Sequence, residues 1–125
     1  MATLQAATTS NGVAVTDAQA VRELCESYCF GTLEWEVDDD RLSIWGYDAF
    51  EVYGRRENGL PDYEAGQRTH EFLQALAAYV EEDDELDIQT AGFTKCRFPV
   101  LAARYVVRDG DVLRADLQTL EPIED

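Results

Sequence analysis

Apolar residues recur at helical spacing, then at strand spacing, then at helical spacing again along this 125-residue chain. After Thr16 and Asp17, either of which can cap a helix N-terminus, Ala18, Val21, Leu24, Cys25 and Tyr28 fall on one helix face. The spacing predicts a helix over 17–29, stopped by Gly31. From residue 32 the period drops to two. Leu33, Trp35 and Val37 alternate with Glu34 and Glu36, and beyond the loop Asp38 to Arg41 come Leu42, Ile44, Phe50 and Val52. That loop sets Val37 opposite Leu42 and Trp35 opposite Ile44, so both apolar sets share a face.

The stretch 54–63 is a loop by its Gly, Asn-Gly and Pro content. A second helix is predicted over 63–80, where Ala65, Thr69, Phe72, Leu73, Leu76 and Val80 form one stripe. Its firm part begins nearer Gln67, because Gly66 lies in the first turn. Next comes a strand region with apolar Leu86, Ile88, Cys96 and Phe98, bent near Pro99 because proline cannot donate to a ladder. A last hairpin spans 101–117. A two-residue Asp109-Gly110 turn would pair Tyr105 with Arg114 and mix apolar with charged positions. A three-residue loop, Arg108 to Gly110, pairs Tyr105 with Leu113 and Arg104 with Arg114, and is the preferred reading.

Residues 1–15 are small and polar, and read as a flexible arm or a weak edge hairpin around Asn11-Gly12. The remainder, 16–125, reads as a single α+β domain. Its predicted architecture is an antiparallel sheet of five or six strands with two helices packed on one face, in the order α-βββ-α-βββ. A curved, cone-like sheet of the nuclear-transport-factor-like kind is the alternative.

Charge changes the picture of the surface. Twenty-six acidic residues against ten basic ones give −16, yet 46% of the chain is apolar, which separates it from disordered acidic chains. Nine of the basic residues are arginine and one, Lys95, is lysine. A carboxylate-rich surface nearly free of lysine fits a protein adapted to molar salt, of the kind haloarchaea carry, where screening removes most self-repulsion. Such a field repels nucleic acid. The N-terminus has no basic, apolar leader pattern, and no run of apolar residues is long enough to span a membrane, so the expectation is a cytoplasmic protein.

Candidate chemistry is sparse. Cys25 and Cys29 at i and i+4, with Cys96 and His70, would make a Cys₃His set, but Cys25 sits in an apolar stripe and the spacing is not that of a zinc knuckle. His70 is the only histidine and hence the only histidine-type general base available. The Asp-rich runs fail the calcium-loop template at its glycine and its final glutamate. Gly-rich phosphate loops, zinc-protease helices and nucleophile elbows are absent, and no cofactor is expected.

Two surface features stand out. If the strand through Ile44 stays regular past Gly46, Trp45, Tyr47 and Tyr53 lie together on the outer sheet face, as an interface or ligand surface would. Arg104 and Arg114, set opposite each other, call for carboxylates or a bound anion between them. The expected role is a binding or assembly module using the outer face, with a second copy, another protein or a small anion as partner. A ligand or substrate pocket between the sheet and helix 63–80 is the alternative.

Overall fold

The computed structural model describes residues 5–93 and 99–117. The chain is a small α+β protein, and its described residues form a seven-stranded antiparallel sheet with two helices. Two strands precede the first helix: β1 (Gln5–Ser10) and β2 (Val13–Ala14). After α1 (Ala18–Glu26) come the short β3 (Tyr28–Cys29), then β4 (Glu34–Asp38), β5 (Arg41–Gly46) and β6 (Tyr53–Gly54). Helix α2 (Thr69–Ala77) is followed by β7 (Leu86–Phe93), β8 (Pro99–Arg108) and β9 (Asp111–Leu117). Strands β3 and β6 pair as a separate two-stranded ribbon.

The segment expected to be an arm contains the central strand. β1 lies between β5 and β7, pairing Thr9 with Trp45 on one side and with Gln89 on the other. Its inward residue Thr8 is 3% exposed, and its hydroxyl donates to Asp48 O at 2.7 Å and sits 2.9 Å from Thr90 Oγ1. A buried hydroxyl with partners costs little, so a core strand here carries threonine where an apolar alternation would have announced it.

The β4–β5 register agrees with the expectation: Val37 faces Leu42 and Trp35 faces Ile44. Pairing runs out to Asp38 and Arg41, so only Asp39 and Asp40 turn, at φ 49° and 60°. Two left-handed residues are what a two-residue type I′ hairpin requires. The β8–β9 hairpin turns the same way, through Asp109 (φ 50°) and Gly110 (φ 79°). This overturns the three-residue loop, since Tyr105 pairs with Arg114, Val106 with Leu113 and Arg104 with Ala115. The charge beside the tyrosine is accommodated because the Arg114 guanidinium lies over the Tyr105 ring, 5.6 Å from its centroid.

Helix α1 starts where the sequence places it, with the Asp17 carboxylate accepting from Ala20 N at 3.1 Å. It ends at Glu26, three residues short of the prediction. Ser27 closes it, its hydroxyl donating to Glu23 O at 2.8 Å, and Tyr28 and Cys29 leave the helix to pair with Gly54 and Tyr53. Helix α2 is likewise shorter than 63–80. Gly66, at φ 80°, ends a turn before the helix begins at Thr69.

Val21 and Cys25 of α1 and Phe72, Leu73 and Leu76 of α2 share one buried cluster with Leu42, Ile44, Leu86, Ile88 and Val107 of the sheet. Phe72 anchors it, meeting Tyr28 and Phe30 edge-on at 5.4 and 5.1 Å between ring centroids. Full burial of each such side chain contributes about 1.5–3 kcal/mol, so both helices are fixed to the inner face by their stripes. None of the helices among the described residues is long and apolar enough to cross a membrane.

Candidate functional site: the outer face of the sheet

Paired residues in an antiparallel sheet point to the same side, so register alone assembles the face opposite the core. Glu34 pairs with Trp45, Trp45 with Thr9, Thr9 with Gln89 and Gln89 with Arg104. These five residues, all exposed, form one row across β4, β5, β1, β7 and β8. Trp45, 38% exposed, and Arg104 stand three strands apart, about 14 Å at the usual strand spacing. Two residues further along each strand lie Glu36, Ser43, Asp87 and Val106, with Leu113 paired to Val106 on β9. Two further again lie Asp38, Arg41, Glu85 and Arg108.

The middle of the face is flat, because β1 and β7 present Ala7, Thr9 and Ala91 there. Two of its arginines are paired with carboxylates. The Arg104 guanidinium grips Asp87 with two hydrogen bonds, Nε to Oδ1 at 2.9 Å and Nη2 to Oδ2 at 2.6 Å. Those bonds hold the Asp87 carboxyl below its ordinary value and the Arg104 guanidinium above its own. Arg108 Nη1 lies 3.4 Å from Glu85 Oε2, and Arg41 Nη1 donates to Gly12 O at 2.9 Å. Arg104, Arg108, Arg114 and Glu85 rim a hollow of about 230 Å³, with the half-buried Val106 and the exposed Leu113 lining it. A second, more open hollow of about 420 Å³ is lined by Leu33, Glu34, Trp35, Glu36 and Trp45.

The aromatic trio is not brought onto one face. The strand stops at Gly46, where a Cβ would meet Leu33 Cα at 3.0 Å and Leu33 Cδ2 at 2.8 Å, and φ is +154°. Trp45 stays on the sheet. Tyr47 lies just past its end and is 94% exposed. Tyr53 sits in the β3–β6 ribbon, its ring edge-on to Tyr63 at 4.8 Å between centroids and its hydroxyl donating to Glu51 at 3.3 Å. Arg104 and Arg114 are not opposite each other, since the β8–β9 register sets Ala115 against Arg104, although both arginines reach the same hollow.

The thiol and histidine candidates lie elsewhere. Cys25 is fully buried in the core, and burial first, then the nearby Glu26 charge, push its thiol from 9.0 up to about 12. A thiol so held packs as a small buried hydrophobe beside Val21. Cys29 is buried in β3, off the helix, so the two are not an i, i+4 pair on one helical face. His70 is exposed in the first turn of α2, and Cys96, with Lys95 and Arg97, lies outside the described residues. No group of three histidine, cysteine or acidic residues positioned to hold a metal ion occurs among the described residues.

The residues that sequence reasoning missed are Ala7, Thr9, Asp87 and Gln89. The last two were signalled by the Leu86-Asp87-Ile88-Gln89 alternation, which puts Asp87 and Gln89 outward. β1 gave no such signal. No protein-family model, curated protein or solved structure matches the chain.

Proposed function

We propose that the protein is a binding or assembly module of a cytoplasm at molar salt, and that it takes a protein partner on the outer face of its sheet. The observation that carries this reading is the row Glu34–Trp45–Thr9–Gln89–Arg104, exposed across five strands while the opposite face is sealed by α1 and α2. A large indole, small residues beside it and two arginines oriented by carboxylates are the components of a protein-contact surface, in which tryptophan and arginine carry most of the binding energy. Phe72, Leu73 and Leu76, fully buried, fill the space between α2 and the sheet, which speaks against a ligand pocket there. The arginine-rimmed hollow supports a small anion as a second reading, weakened because Arg104 and Arg108 already face Asp87 and Glu85.

Oxidative footprinting in the source cells tests the reading. Tyr63, 61% exposed and off the sheet, serves as the reference. Trp45 labelled far less in the cell than in dilute purified protein, with Tyr63 unchanged, is the expected result. Trp45 labelled to the same extent in both settings would overturn it.

A further inference from the structure

We infer that the occupant of the outer face is a second copy of this chain, packed sheet to sheet about a twofold axis that runs parallel to the strands along β1. This deepens the binding reading and rests on it. Two aligned sheets pack about 10 Å apart with their strands within about 30° of each other. The strands at the axis must therefore carry small side chains outward, and β1 carries Ala7 and Thr9.

The charges select this axis. Rotation about it lays β4 of one copy over β8 of the other, and β5 over β7. Glu34 then meets Arg104, Asp38 meets Arg108 and Arg41 meets Glu85, each twice, while Trp45 covers Gln89 and Ser43 meets Asp87. Each intermolecular pair joins an existing intramolecular one, so Glu34 reaches the Arg104 already oriented by Asp87 at 2.6 Å. The alternatives fail on like charges. An axis perpendicular to the strands through Glu36 lays β4 on its own copy, so that Glu36 meets Glu36 and Glu34 meets Asp38, and an axis between β1 and β7 sets Arg41 on Arg108. Like charges so placed cost several kcal/mol.

Five strands at ~4.8 Å and roughly 20 Å of strand length give about 1,000 Å² buried over both copies, the lower bound for a specific interface. The dimer is therefore concentration-dependent.

Charge reversal tests it. The wild-type chain is measured by light scattering over a concentration series, in molar salt and in the lowest salt that keeps it folded. One variant carries Glu34→Arg and Asp38→Arg, the other Arg104→Glu and Arg108→Glu, with folding checked by circular dichroism. Each variant alone should need at least about tenfold higher concentration to dimerise. An equimolar mixture should restore dimers, since every cross-pair is then of opposite sign. Should the second variant fail to fold without its intramolecular pairs, Thr9→Arg on the axis replaces it and should leave a folded monomer. A monomeric wild type, folded variants that dimerise like wild type, or a mixture that stays monomeric would overturn the inference. If purified wild type is monomeric while Trp45 is protected in cells, the second copy is ruled out and the binding face stands.

Discussion

Cys25 shows what a residue's surroundings do to its chemistry. Buried among Val21 and Leu42, its thiol is held near 12. Because the fold raises this value, the folded chain holds the proton more tightly than the unfolded one above pH 9, and stability falls as pH climbs from about 9 toward 12. One such group lowers the unfolding free energy by up to about 1.4 kcal/mol per pH unit in that window. Chemical unfolding followed across it, for wild type and Cys25→Ala, should show the steeper fall in wild type; identical slopes would contradict the burial. Asp87 works in the opposite sense. Its carboxyl is depressed chiefly by the hydrogen bonds from Arg104, so its contribution is present above about pH 4 and is lost as pH falls through the folded value. Carboxyl NMR titration of Arg104→Ala should show Asp87 moving up toward its ordinary 3.8.

At the scale of elements, the chain disclosed whatever was written in apolar residues. The β4–β5 register was legible because Trp35, Val37, Leu42 and Ile44 alternate cleanly and only one pairing keeps them together. β1 was not, because its inward positions are Ala6, Thr8 and Ser10, whose hydroxyls find partners in the interior and leave no hydrophobic trace. The β8–β9 register departs from the parity that charge predicts, because an arginine can lie on an aromatic ring. The aromatic face needs a strand that continues past Gly46, and β5 ends there. Trp45 and Arg104 are thus legible in the sequence, and so is the outward parity of β7, while β1, one of the two strands between them, is not. Gly46 offers the test at this scale. Gly46→Ala forces its Cβ into the backbone and side chain of Leu33 and should cost about 1–3 kcal/mol, read as a lowered denaturant midpoint. A variant as stable as wild type would contradict the close approach.

For the whole molecule, the charge of −16 sits on a surface where, among the described residues, fixed ion pairs such as Asp87–Arg104 are few. The Debye length shrinks from ~10 Å at 0.1 M salt to ~3 Å at 1 M, so melting temperature should rise steeply as potassium chloride is taken from low to molar concentration. A flat dependence would remove the halophilic reading. The proposed dimer depends on the same screening to bring two copies of so acidic a chain together, with the row from Glu34 to Arg104 as its contact surface. The chain has two tryptophans, and Trp35→Phe leaves Trp45 as the single reporter, one strand from the middle of that row. Acrylamide quenching of this variant in molar salt, across a range of protein concentrations, addresses the outer face directly. Quenching that weakens as concentration rises, together with a blue shift of the emission, is the predicted result; a Trp45 equally open to acrylamide at every concentration would contradict it.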